Sequence, residues 1–318
     1  MKKSLFLLCF LTSLFSVSAQ DEIKTVVVDV AKNVSNSEIP AASEDSVVWK
    51  FPGVTGLNFS QTAFKNWAEG GQNSISLQAF VNLNANYKKG KVRWDNNLSA
   101  EYGTLYSAAY SRFTTRKSSD KLALSSKFGY QASRSWYYTV LADFKTQMDK
   151  GYDYGDGDTT RTMNSKFLAP GYLIASLGMD YIPNKYVSVY LSPVTGRFIF
   201  VRDTTLSEKY GVDAGEKCKV EAGAYMRVVN DFDIVKNVHL NSKLELFSAY
   251  ETFGNVVVNW ELLLAMKVTK YLNASVRTHV KYDDAVKNIV IDENGVEKQE
   301  GPKIQFMDVI SVGFAYNF

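Results

Sequence analysis

The chain reads as all-β: a single antiparallel transmembrane β-barrel of about twelve strands, of outer-membrane type. Three observations predict this. The last ten residues, VISVGFAYNF, alternate, with Ile310, Val312, Phe314, Tyr316 and Phe318 on one face and Val309, Ser311, Gly313, Ala315 and Asn317 on the other. That is the period of a strand whose two faces meet unlike surroundings, as a barrel wall between lipid and lumen does. The same alternation recurs almost throughout residues 49–318. Finally, 14% of the residues are aromatic, with 19 Tyr and 19 Phe, yet no stretch after residue 20 approaches the roughly 20 apolar residues of a spanning helix. Helical membrane proteins are thereby excluded, and aromatic girdles are supplied for a barrel.

The N-terminus, MKKSLFLLCFLTSLFSVSAQ, has a basic start at Lys2 and Lys3, an apolar run Leu5–Phe15 and small residues at Val17-Ser18-Ala19. This is the pattern of a secretory signal peptide over 1–19, with Gln20 as the new N-terminus. Phe10 follows Cys9 where lipidation wants a small residue, so Cys9 is no lipid anchor. Residues 20–48 are polar and mixed and read as a flexible periplasmic tail. Barrel residues 49–318 then form one domain.

The strands follow in order. Val54–Thr62 is short. Ser74–Tyr87 sets Ile75, Leu77, Ala79, Val81, Leu83, Ala85 and Tyr87 against Ser, Gln and Asn, interrupted only by Phe80 on the polar face. Lys91–Gly103, Asp120–Gln131 and Trp136–Met148 follow with the same period. Tyr172–Ile182 leads into Tyr186–Val201, whose pattern breaks near Pro193 and Gly196, as a bulge or kink allows. Lys217–Asn230, Val238–Tyr250, Asn255–Thr269, Leu272–Tyr282 and a last strand from about Lys303 to Phe318 make twelve. Their connections alternate short (88–90, 132–135, 183–185, 231–237, 270–271) with long (62–73, 103–119, 149–170, 202–216, 283–302), with 251–254 the one short member of the second set. Tight periplasmic turns and long surface loops alternate in this way. An even count puts both ends in the periplasm. In the last loop, Asn294-Gly295 between two apolar runs predicts a small hairpin.

Charge and cysteine content exclude several classes. Of 36 basic residues, two lie in the signal peptide, and the remaining 34 against 33 acidic residues leave a net charge of +1. No nucleic-acid partner is implied. One cysteine, Cys218, survives cleavage. It builds neither a disulfide nor a thiolate metal site, and is read as an apolar strand residue.

Strand parity sends many charges inward: Arg93, Asp95, Glu101, Lys127, Asp143, Lys145, Asp180, Lys219, Glu221, Arg227, His239, Lys243, Glu245, Glu261, Lys267, Arg277, His279 and Lys281. Buried charges persist only when paired, so both signs in a narrow barrel point to a network that largely closes the lumen. One row is sharper. A hairpin centred near Phe253 sets Glu245 opposite Glu261, and a turn centred near Lys270 sets Glu261 opposite His279. Such a row shares protons, or is simply neutralised by Arg277, Lys281 and Lys243.

Other candidates are weaker. The loop GYDYGDGDTT (151–160) carries Asp153, Asp156 and Asp158 but departs from the calcium-loop spacing and reads as solvated surface. Gly70-Gly71 precede a strand rather than the helix a phosphate cradle needs. The two histidines face the lumen, and Ser242 near His239 points to the opposite face, so no hydrolytic triad forms at the lipid boundary. The expectation is no enzyme and no cofactor.

Several segments carry a family resemblance: NWAEGGQNS (66–74), WDNNLSAEYG (94–103), WYYTVLADFKTQM (136–148), FLAPGY (167–172), LSPVTG (191–196) and NVVVNWELLLAMKV (255–268). Over roughly 49–318 the chain resembles an uncharacterised outer-membrane β-barrel family of Bacteroidota, catalogued as a domain of unknown function. The resemblance implies a barrel in the outer membrane and supplies no substrate or catalytic residue.

Two functions fit this reading. One is a non-enzymatic accessory or scaffold barrel within a larger outer-membrane assembly. The other is a narrow channel or transporter for a small solute. The expected partners are outer-membrane lipid and lipopolysaccharide, other outer-membrane proteins, and the barrel-assembly machinery, whose signal a C-terminal strand ending in Phe318 resembles.

Overall fold

The computed structural model describes residues 48–62, 74–107, 110, 112–154, 160–269, 271–284, 288–291, 297–300 and 304–318. The expected signal peptide and all but the last residue of the tail lie outside these. The strands are β1 (Trp49–Lys50), β2 (Gly53–Thr62), β3 (Ser74–Lys89), β4 (Val92–Tyr106), β5 (Thr115–Gln131), β6 (Trp136–Thr146), β7 (Gly151–Tyr154), β8 (Arg161–Ser165), β9 (Gly171–Asn184), β10 (Val187–Phe200), β11 (Cys218–Val235), β12 (Val238–Ala249), β13 (Val257–Lys267), β14 (Leu272–Tyr282), β15 (Asn288–Ile291), β16 (Glu297–Glu300) and β17 (Gln305–Asn317).

Twelve of these close a barrel. Each pairs antiparallel with its neighbour around the ring β2, β3, β4, β5, β6, β9, β10, β11, β12, β13, β14, β17, and β17 pairs back onto β2. The short β1 adds to β3 through Trp49↔Tyr87. The other strands form two hairpins in the long loops: β7 with β8, and β15 with β16, where the Asn-Gly pattern predicted one. Closure leaves no sheet edge where the ring is fully paired. At the end of the ring Gly53 and Phe318 exchange both backbone hydrogen bonds, at 2.9 and 3.0 Å. A Cβ on Gly53 would lie 2.5 Å from the Phe318 ring, so a larger residue there would have to displace that ring.

The outer face is apolar as the alternation requires. Leu77, Trp94, Leu124, Phe128, Tyr138, Val140, Leu177, Trp260, Phe314 and Phe318 are all exposed. Aromatic clusters mark the end with the short turns: Trp49 lies 5.1 Å from Tyr87 and 5.9 Å from Trp94, and Trp136 lies 4.7 Å from Tyr181. Exposed Tyr106, Tyr250, Phe253 and Phe306 mark the end with the long loops. Two outward indoles bond to a neighbouring strand, Trp94 Nε1 to Ser126 Oγ at 2.9 Å and Trp260 Nε1 to Ser242 Oγ at 3.0 Å.

Several boundaries differ from the expected ones. β4 and β5 run past Gly103 through a register shift between Gly103 and Thr104, which shortens the loop expected at 103–119. The 231–237 link shrinks to a turn at Lys236-Asn237, with Asn237 at φ 69°, because β11 continues to Val235. The break in β10 is a bulge between Ser192 and Thr195, with β10 paired on both sides of it. Cys218 opens β11 and is exposed rather than packed.

Candidate functional site

Alternation places Lys121 of β5, Asp143 and Lys145 of β6, Tyr225 and Arg227 of β11, Lys243 and Glu245 of β12, Asn259 and Glu261 of β13 and His279 of β14 on lumen faces. Register then sets neighbours: Arg227↔Glu245, Lys243↔Glu261, Glu245↔Asn259 and Glu261↔His279. The expected pairing of Glu261 with His279 is present. That of Glu245 with Glu261 is not, because the β12–β13 turn centres one residue earlier. Gly254 takes φ 108° and Asn255 N bonds to Thr252 O at 3.0 Å, so the ladder starts at Phe247↔Val257. Asn259 stands in the place expected for Glu261. It donates to Glu245 Oε2 at 2.5 Å and accepts from His279 Nε2 at 2.6 Å.

Arg227 is the centre of the network, with 1% of its surface exposed. It pairs with Asp143 and, at 2.7 Å, with Glu245 Oε1. Its Nε donates to the Tyr225 hydroxyl at 2.7 Å, and that hydroxyl donates to Glu245 Oε1 at 2.7 Å. Lys145 reaches Glu245 at 3.0 Å and Lys243 reaches it at 3.5 Å. Arg227–Asp143 and Lys145–Glu245 cross the lumen between strands that are not neighbours, whereas Arg227–Glu245 and Lys243–Glu245 follow the wall. Lys121 and Glu261, 3.4 Å apart, stand on opposite strands of the twelve-membered ring. Arg277, assigned to the same patch from the sequence, instead spans to Glu101 of β4 at 2.7 Å.

Further bridges lie above and below. Towards the short turns, Lys127 meets Asp180 at 3.0 Å, Ser188 Oγ donates to Asp180 at 2.6 Å, and Arg93 meets Asp95 at 2.7 Å. His239 lies between Asp231 at 3.0 Å and Asp233 at 2.8 Å. Towards the loops, Arg197 holds Glu221 at 3.0 Å and Asp283 at 2.7 Å. The wall around the β2–β17 closure is richer in hydroxyls and amides, with Arg277 and Glu101 beside them. There Asn58 donates to Gln78 at 2.9 Å, Gln78 to Ser119 at 3.1 Å, and Ser275 meets Ser311 at 2.8 Å. A cavity of about 290 Å³ remains on that side, lined among others by Asn58, Ser76, Gln78, Phe80 and Ser275. Among the described residues no group of three His, Cys, Asp or Glu is placed to hold a metal ion.

The long-loop end carries a small core of its own. Ala169, Ile199, Val201, Leu206 and Val212 pack together, with Met163, Tyr172 and Tyr210 against them. The FLAPGY motif makes the bend beneath it, with Leu168 at φ 56° and its carbonyl accepting from Arg202 N at 2.7 Å. Lys166 and Asp203 join the two loops at 2.7 Å. Hydrogen bonds from Lys166 and Thr205 hold the Asp203 carboxyl down to about 2. Tyr210 donates to Asn164 O at 2.6 Å, and burial pushes its phenol up to about 12. In the acidic loop, Asp153 is engaged by Asn164 and Lys209, while Asp156 and Asp158 lie outside the described residues.

Several members of the network were not assigned to the patch from the sequence. Asp143, Lys145 and Arg227 were legible as inward charges. Lys121, Tyr225 and Asn259 share that parity and were legible by it alone.

An antiparallel ring of twelve strands, apolar outside and ion-bridged inside, is a β-barrel of the transmembrane class. Residues 59–152 match the model of a family described as "Protein of unknown function (DUF3078)". No curated protein matches the sequence. Among solved structures, the fold is similar to an outer membrane channel from Pseudomonas putida F1 (TM-score 0.40, 13% identity, covering 88% of this chain and 100% of that one). It is also similar to the translocator domain of the autotransporter NalP from Neisseria meningitidis (0.38, 10%, 90% and 93%), and to the NanC porin (0.36, 8%, 83% and 98%). These likenesses concern barrel architecture and carry no functional assignment.

Proposed function

We propose that the chain is an outer-membrane barrel whose lumen is closed by ion pairs and which serves as a non-enzymatic accessory or scaffold in a larger outer-membrane assembly. The observation that carries this reading is the set of bridges across the lumen. Arg227 joins β11 to β6, Lys145 joins β6 to β12, and Lys121 joins β5 to β13. Side chains held in this way replace the water column a solute pore needs. The ring nitrogens of His239 meet two carboxylates, and His279 Nε2 meets an amide, so neither stands against a nucleophilic hydroxyl as hydrolysis requires. In this reading residues 1–19 direct export, the short turns and Phe318 face the periplasm, and the closing strand is what the assembly machinery reads. Lipid and lipopolysaccharide then meet the apolar wall.

A narrow channel is the second reading, favoured by the cavity beside the hydroxyl- and amide-rich wall. Purified protein in a planar bilayer separates the two. The closed lumen is expected to give no stepwise current, and steady steps of current would overturn it. Crosslinking in intact membranes is expected to return a reproducible outer-membrane partner. Recovery of the barrel alone counts against the scaffold role.

A further inference from the structure

The ring is unevenly closed. β17 pairs with β14 from Gln305 to Phe314, but with β2 only where Val312–Asn317 face Val54–Phe59. β2 continues to Thr62 paired with β3. Ser60–Thr62 and Val309–Ser311, which the ladder would set opposite one another, are not paired, and the positions that would face Gln305–Asp308 lie outside the described residues. Backbone groups left unpaired against hydrocarbon are costly, so a seam that diverges there calls for something to line it.

The cavity lies at this place. Its lining takes in both strands of the diverging segment, Phe59 and Ser60 on one side and Met307, Val309, Ile310 and Ser311 on the other. The chemistry grades inward. Phe59, Met307, Val309 and Ile310 are exposed apolar groups, and Met307 and Val309 are apolar on a face that is elsewhere small or polar. Behind them come Ser60, Ser76, Gln78 and Ser275. At the inner end stands Arg277, directly across from Val309 in the ladder, with Glu101 on its Nη1 and further guanidinium donors beside it.

We infer that the β2–β17 seam is a lateral port through which a single-chain amphiphile enters from the bilayer, its acyl chain against Phe59, Met307, Val309 and Ile310 and its oxygen-bearing head among Ser60, Ser76, Gln78 and Arg277. A cavity of about 290 Å³ is at the small end of ligand pockets, so it takes the head and the first carbons while the rest of the chain stays in lipid. The port shares Arg277 and Glu101 with the lumen charges, but amphiphile binding is read separately from conductance.

The test uses the full-length protein in detergent micelles and two probes, 11-(dansylamino)undecanoic acid and a dansyl-labelled monoacylglycerol. The port is expected to bind at least one of them saturably. Extending the ladder places outward Gln61 opposite Ile310, so Gln61→Cys with Ile310→Cys staples the seam when oxidised. Oxidation is expected to lower affinity at least tenfold and reduction to restore it, with the heat-modifiable gel shift of the folded barrel unchanged. Arg277→Gln is expected to weaken the carboxylate probe more than the monoacylglycerol. If the oxidised staple binds as tightly as the reduced one, lateral entry is wrong. If neither probe binds saturably to the unmodified protein, the amphiphile site itself is wrong. Bilayer conductance is a separate readout, so failure here leaves lumen closure standing, and the reverse.

Discussion

Replacing Arg227 with methionine tests whether the lumen is a dry ionic core. The side chain is buried, and Met keeps much of its apolar length while removing the charge. Three partners lose a donor: Asp143, Glu245 Oε1 and the Tyr225 hydroxyl. A hydrogen bond to a charged group contributes about 1.5–3 kcal/mol, and removing one member of a buried ion pair costs about 3–5 kcal/mol because its partner is left uncompensated. Lys145 and Lys243 remain beside Glu245, which puts the expected loss at the lower end, about 3 kcal/mol. Urea unfolding in detergent micelles, followed by tryptophan fluorescence, measures it. Arg227→Met combined with Glu245→Gln is expected to cost less than the sum of the two single changes, because the second removes the charge the first stranded. A loss below about 1 kcal/mol is what a solvated surface pair gives. That result would refute a lumen closed by buried charge.

Other predictions concern the loops and the wall. Asp203 has its carboxyl held down to about 2, so its link to Lys166 contributes stability above the ordinary carboxylate value of about 4 and loses it as pH falls from about 4 towards 2. Loop proteolysis in whole cells is expected to rise for Lys166→Met at neutral pH, and unchanged cleavage would show that the clamp does not hold the loops. Gly178→Ala sets a methyl group against the Leu191 carbonyl beside the β10 bulge, where backbone has to move. Overpacking of this kind costs about 1–3 kcal/mol, read as a lower urea midpoint; no shift means the bulge is compliant.

Much of the barrel was legible before folding was considered, and the reason is geometric. A strand has a period of two, so each residue's face follows from its position in the run. That suffices to send Arg227, Glu245 and His279 inward and Leu77, Trp260 and Phe314 outward. The hairpin at β15–β16 and the bulge in β10 were readable from Asn-Gly and from Pro193 for equally local reasons. Register was less secure. The Glu245–Glu261 pairing turned on a one-residue choice of turn centre, decided by the positive φ of Gly254.

What parity cannot supply is distance across the barrel. Lys121 and Glu261 are 140 residues apart in the chain, and no local pattern couples them. They meet because twelve strands close into a ring and bring opposite walls within reach of two long side chains. The loop core of Ala169, Ile199 and Leu206, and the seam where β2 and β17 part, likewise arise from segments distant in sequence. Alternation and turn chemistry therefore specify strands, faces and strand number. Closure decides which charges neutralise each other and how far β2 and β17 pair, because those interactions depend on three-dimensional separation rather than on spacing along the chain.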